Sequence, residues 1–225
     1  DTLAMVWSAL VLAGVIVLGV VLTFSVTKLL SKTLLKGVPS SFTLELPPYR
    51  RPQIGQVVVR SSFDRTLFVL GRAVSVAAPA GILIWLLANI QVGDSSILLH
   101  LTGFLDPFAR FIGMDGVILL AFFLAFPANE ILIPLILMGY LATGSMAEME
   151  SLSALRNILV DNGWTWVTAL CTMLFVLIHF PCATTCLTIQ KESGSFKWTA
   201  LAFLLPTLTG FLVCGLVANV ARLFL

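Results

Sequence analysis

The chain has 225 residues, of which 59% are hydrophobic and 11% charged, with a net charge of +2 and a mean hydropathy of +1.04. Soluble domains carry roughly 25% charged residues, so this composition identifies an integral membrane protein. A charge of +2 without basic clusters interleaved with aromatics excludes nucleic acid as a partner. Several apolar runs reach the ~20 residues that a helix needs to span a bilayer, which favours an α-helical bundle over a barrel. The four cysteines (Cys171, Cys182, Cys186, Cys214) all lie in apolar runs, so a secreted disulfide framework is not expected.

In chain order, residues 1–36 read as a first transmembrane helix, Leu3–Val26, with Lys28, Lys32 and Lys36 at its basic end. No basic region precedes that apolar run, so it does not read as a cleavable signal peptide. With Asp1 and no initiator Met, the start is expected to lie inside a longer polypeptide. Residues 37–53 hold Pro39, Pro47, Pro48 and Pro52, which forbids a helix interior and predicts a loop. A helical membrane module is expected over 54–225. It opens with an amphipathic interfacial helix over 54–72, carrying Arg60, Asp64, Arg65 and Arg72, and continues in a transmembrane helix over 73–90. From Lys28 to Arg72 eight basic residues (Lys28, Lys32, Lys36, Arg50, Arg51, Arg60, Arg65, Arg72) face two acidic ones (Glu45, Asp64). The positive-inside rule makes this connection cytoplasmic.

Residues 97–112, with His100, Asp106, Pro107 and Arg110, read as an interfacial segment. Two short apolar helices over 116–142 follow, split at Pro127, each about 17 Å long at 1.5 Å per residue. They form either one broken span or a re-entrant hairpin. Residues 143–163 carry Glu148, Glu150 and Asp161 against Arg156, and so read as outside, whereas Lys191 and Lys197 mark a later cytoplasmic turn. A single crossing over 164–190 between them favours the hairpin. The last span is 198–220, with Pro206 and Gly210 inside it and Arg222 snorkelling at its end. The expected fold is all-α: a polytopic membrane bundle with a re-entrant helical hairpin and a Pro-broken transmembrane helix.

Two interruptions carry the chemistry. Phe126-Pro127-Ala128-Asn129-Glu130 breaks one apolar run, and His179-Phe180-Pro181-Cys182 breaks another, so Pro127 and Pro181 are the expected breaks and gating points. Paired interrupted helices are a sequence pointer to a midplane site in transporters. Glu130 needs a cation, a hydrogen-bonded partner or a wet cavity at membrane depth, or else it is a protonated packing residue. Asn129 is either a cap of the following half-helix or a ligand. Cys182, with His179 three residues before it and Cys186 four after, offers thiolate and imidazole to a borderline-soft ion. The alternatives are inert thiols and a satisfied packing histidine. Thr184 and Thr185 are expected to bond back to the carbonyls freed by Pro181. Cys182 as a nucleophile with His179 as base lacks a third group and an oxyanion hole. A purely structural module that packs against other parts of the protein is a further reading. C-x-x-C, H-E-x-x-H and P-loop patterns are missing, so the sequence shows no closed metal site and no GTP site.

Three runs together resemble the FeoB-type bacterial ferrous iron transporters. They are Lys36-Gly37-Val38-Pro39-Ser40 with Glu45-Leu46-Pro47-Pro48-Tyr49-Arg50-Arg51-Pro52, then Phe126-Pro127-Ala128-Asn129-Glu130-Ile131, then His179-Phe180-Pro181-Cys182-Ala183-Thr184-Thr185 with Lys191-Glu192-Ser193-Gly194-Ser195-Phe196-Lys197-Trp198. The resemblance implies the carboxy-terminal membrane portion, with the second gate, of an inner-membrane permease for Fe(II). It also implies an amino-terminal GTPase domain and a first gate, in cis or on a separate chain. Expected partners are therefore the lipid bilayer, that missing half and, as a homo-oligomer, further copies of the chain. A transporter half for another divalent metal or for a nucleoside is the alternative.

Overall fold

A computed structural model of the chain describes residues 2–33, 54–93, 95–144 and 151–224. The Pro-rich loop over 37–53, with most of its motif, and the acidic Glu148 and Glu150 lie outside the described residues. Two compact units are present, Asp1–Leu70 and Gly71–Leu225.

In the first unit, α1 (Thr2–Thr33) is apolar around its circumference and runs beyond the expected end at Val26 to include Lys28 and Lys32. Four of its hydroxyl side chains are satisfied within the helix: Thr23, Ser25, Ser31 and Thr33 each donate to the carbonyl four residues back, at 2.7–2.8 Å. Such back-bonds satisfy helix hydroxyls in hydrocarbon. Helix α2 (Ile54–Val59) leads into a π-helical segment, Arg60–Leu67.

Among its described residues the second unit is helical apart from short connections and a two-residue antiparallel ladder, β1 (Gln91–Val92) with β2 (Ser95–Ser96). Helix α3 (Phe68–Asn89) precedes the ladder. Near its start, Arg72 donates to Thr188 Oγ1 at 2.9 Å, and at its end Asn89 Nδ2 donates to the Gly144 carbonyl at 2.9 Å. Seventeen helical positions at 1.5 Å separate these anchors by about 25 Å, so Thr188 and Gly144 lie toward opposite ends of the bundle.

Helix α4 (Ile97–Phe111), capped by Ser96, meets α5 (Gly116–Leu124) at 107°. The crossing is tight. A Cβ on Gly116 would sit 2.0 Å from the Thr102 carbonyl oxygen, and one on Gly113, whose φ is +79°, would sit 2.8 Å from Cys171 Sγ and Ala218 Cβ. Without a hydrophobic drive between helices in lipid, such close approach is what holds a membrane bundle together. Asp106 strengthens the bend, accepting from Arg110 Nε at 2.6 Å and from Gly116 N at 3.1 Å.

Helix α5 then turns at Phe126–Ala128, passes a 3-10 turn (Asn129–Ile131) and returns as α6 (Leu132–Leu141). Val117 in the first turn of α5 lies against Gly139 near the end of α6, so the two run antiparallel as a hairpin. The base of the hairpin is tied. Asp115 caps α5 through Ile118 N at 2.8 Å and accepts the Tyr140 hydroxyl, and Tyr140 in turn accepts Trp164 Nε1 at 2.7 Å. The chain therefore leaves the hairpin at the level where it entered.

Helix α7 (Leu152–Asp161) occupies the connection expected to be an outer loop. Helices α8 (Trp166–Ile178) and α9 (Ala183–Ser193) are the two halves of the expected Pro-broken span, and α10 (Phe196–Phe224) packs along both. Together these elements make the chain an all-α polytopic membrane bundle, with four helices long and apolar enough to cross a bilayer among the described residues.

Two substitutions test this packing. Gly116→Ala forces a methyl into a backbone carbonyl and should cost about 1–3 kcal/mol. Gly103→Ala, where nothing lies within 4 Å, should gain up to about 1 kcal/mol from helix propensity; thermal unfolding in detergent distinguishes them, and equal midpoints would contradict the crossing. Tyr140→Phe removes the hydroxyl shared by Asp115 and Trp164 and should lower stability by about 1–3 kcal/mol. An unchanged unfolding midpoint for that variant would mean the tie at the hairpin base contributes nothing.

Candidate ion site at two broken helices

Both prolines break their helices where expected. Helix α5 ends at Leu124, two residues before Phe126-Pro127, and α8 ends at Ile178, with Phe180, Pro181 and Cys182 outside either half-helix. Each break frees backbone groups that must find partners away from water. The freed groups of one break meet those of the other: Ala183 N–H donates to the Phe126 carbonyl at 2.8 Å.

Around that bond the aromatic side chains close. Phe180, 2% exposed, stacks on Phe203 with ring centroids 4.8 Å apart and lies edge-on to Phe126 at 5.8 Å. Phe126 also meets Phe203 edge-on at 5.6 Å. Below them Phe122 and Phe175 form an edge-to-face pair at 4.7 Å, a geometry worth about 0.5–1.5 kcal/mol beyond burial.

His179 is half-buried in this cluster, with Phe122, Phe175 and Phe180 within 5.1–6.0 Å of its ring. Its Nδ1 lies 2.8 Å from the Val176 carbonyl. A carbonyl can only accept, so Nδ1 carries the proton, and Nε2 of the neutral ring holds the lone pair. Packing residue and donor are thus compatible roles for this side chain.

Cys182 is the N-cap residue of α9 and is half-buried. Its Sγ lies 3.1 Å from Thr184 Oγ1 and 3.1 Å from Thr185 Oγ1. The expectation that these threonines bond back to carbonyls freed by Pro181 is therefore corrected. Cys186 does that instead, its buried thiol lying 3.6 Å from the Pro181 carbonyl.

Asn129 and Glu130 stand at the hairpin tip, exposed, with no side-chain partner among the described residues. Asn129 caps neither the 3-10 turn, whose N-cap is Ala128, nor α6, whose N-cap is Ile131. The 3-10 turn inserted before α6 moves the helix start past it. Among the described residues no three His, Cys, Asp or Glu side chains converge closely enough to hold a metal ion. Cys171 and Cys214 serve packing: both are fully buried, and each thiol points at the other's backbone carbonyl, at 3.8 and 3.3 Å.

A family model described as "Nucleoside recognition", the gate domain, matches residues 70–196, and one described as "Ferrous iron transport protein B C terminus" matches residues 12–64. The Fe(2+) transporter FeoB of Staphylococcus aureus strain MSSA476 is 31% identical over 223 residues, covering 96% of this chain and 32% of its own length. The Fe(2+) transporter FeoB of Leptospira interrogans serovar copenhageni is 25% identical, with 96% and 34% covered. A Fe(2+) transport protein A/Fe(2+) transporter FeoB fusion protein of Porphyromonas gingivalis is 24% identical, with 96% and 31% covered. No solved structure matches the chain. The chain spans about a third of the length of these relatives. It belongs to the gate family, and corresponds to the carboxy-terminal membrane part of the FeoB-type transport proteins.

Proposed function

We propose that this chain is the carboxy-terminal membrane part of a ferrous iron permease of the bacterial inner membrane, and that Fe(II) passes at the joined breaks of the hairpin and the α8–α9 helix. The hydrogen bond from Ala183 N–H to the Phe126 carbonyl carries this reading, because it brings two unwound segments with different donor chemistry to one level. Depth supports it too. From the tied base at Asp115, nine residues of α5 descend about 14 Å, roughly half of a ~30 Å hydrocarbon core.

Cys182 supplies a soft sulfur and Glu130 a hard carboxylate, a mixture suited to a borderline ion. His179 can add Nε2, and Asn129 its amide oxygen; Cys186, bonded to the Pro181 carbonyl, is left in a supporting place. The ion is cargo, so its site must be weak and open enough to release it. The remaining ligands, the GTPase domain and the first gate then belong to the part of the relatives' length that this chain does not span, in cis or on a partner chain. Pro127 and Pro181 keep the two segments unwound and so act in gating.

One observation favours a second reading. The gate model is described by nucleoside recognition, and the same joined breaks could bind a nucleoside or another divalent metal. Uptake of labelled Fe(II) in competition with Mn(II), Zn(II) and a nucleoside separates these cargoes.

Cys182→Ser and Glu130→Ala should each lower Fe(II) uptake about tenfold, the effect of losing ~1.4 kcal/mol of ion stabilisation. The measurement is uptake by cells expressing the complete transporter at matched protein levels. Normal uptake in both variants would end the proposal.

A further inference from the structure

Threonine inside a membrane helix usually hides its hydroxyl by donating it to a carbonyl one turn back. Thr23, Thr33, Thr188, Thr199, Thr207 and Thr209 all do so here, at 2.6–3.3 Å. Thr184 and Thr185 do not. Both hydroxyls lie 3.1 Å from the sulfur of Cys182.

Local structure explains the exception. Both threonines occupy the first turn of α9, so the residues four back, Phe180 and Pro181, lie outside the helix. The Pro181 carbonyl faces the Cys186 thiol. The two hydroxyls are therefore free to turn toward the N-cap, and successive β-branched residues with restricted χ1 deliver them to one atom. A cysteine side chain otherwise chooses among three staggered wells, and two oxygen contacts on one sulfur select one of them. The turn that carries them is itself anchored, since Thr188 donates to the Thr184 carbonyl at 2.9 Å and accepts from Arg72 at 2.9 Å.

We propose that Thr184 and Thr185 are positioning residues for ion capture by Cys182: their hydroxyls hold its sulfur in a single orientation at the N-terminus of α9, so that a borderline divalent cation meets a preset donor. This inference rests on the reading of Cys182 as an ion ligand. It assigns the threonines no direct contact with the ion. Outer-shell partners of this kind typically carry 10–100-fold in metal affinity.

Co(II) is a spectroscopic stand-in for Fe(II), and its sulfur-to-metal charge-transfer band reports ligation by a thiolate. In the purified transporter, wild type should show that band and C182S should lose it. The isosteric double variant T184V/T185V should bind Co(II) about tenfold more weakly with a diminished band, and T184S/T185S should restore both. If the double variant does not fold, T184V and T185V are measured singly, and each should show part of the loss. Valine variants matching wild type in affinity and band, while C182S abolishes the band, overturn the positioning role and leave Cys182 as ligand. A band that is missing in wild type, or that survives in C182S, overturns the ligand reading and this proposal with it.

Discussion

Backbone satisfaction at membrane depth is the constraint on which this structure depends. A proline in an apolar helix leaves amides and carbonyls without intrahelical partners, and hydrocarbon supplies none. Here two proline breaks answer each other: the N–H of Ala183, at the start of α9, meets the carbonyl of Phe126, at the end of the α5 turn. Either break alone would leave a costly group exposed to the bundle interior. Joined, they allow unwound backbone to persist where a continuous helix would present only its apolar side chains.

The hairpin that brings Phe126 to this position is held unequally along its length. At its base, Asp115, Tyr140 and Trp164 form a chain of side-chain hydrogen bonds that links α5, α6 and the start of α8. Toward its tip the joint is made by a backbone bond and the rings of Phe123, Phe126, Phe180 and Phe203. Directional polar ties fix a geometry, whereas aromatic faces can slide past one another at little cost in contact area. This asymmetry puts the directional ties at the base and the aromatic contacts at the tip, beside Asn129 and Glu130.

Much of this was legible in the sequence because its signals are local and strong. Pro127 and Pro181 announce their own breaks, long apolar runs announce spans, and the acid–base balance of the connections favours a hairpin over a broken span. What the sequence left hidden depends on partners distant in the chain or on one-residue shifts of helix ends. Helix α7 went unread because its short amphipathic run lies inside an acidic connection, although Ser151 as N-cap and Gly163 beyond its end were available signals. From sequence Asn129 is either a cap or a ligand, and the 3-10 turn before α6 removes the capping role. The partners of Thr184 and Thr185 could not be foreseen, since they follow from α9 beginning at Ala183 and no earlier. That the two breaks meet at all is a tertiary fact, for which the sequence offered only their number and their placement in separate apolar runs.

A joint that passes an ion, as proposed, need not resemble a metal centre. A structural site closes four ligands around its ion and gains folding energy by never releasing it. A conducting site must give up the same ion at each passage, so its ligands must be few, mixed in softness or shared between separate segments. The proposed ligands, Cys182 on one break and Glu130 on the other, would be such a divided pair. Under that proposal, dividing the ligands between a tied helix and a hairpin tip would make ion affinity depend on how closely the two breaks approach. The bond between Ala183 and Phe126 satisfies the broken backbone, and in the proposed site it would also set the distance across which a cation is held or let go.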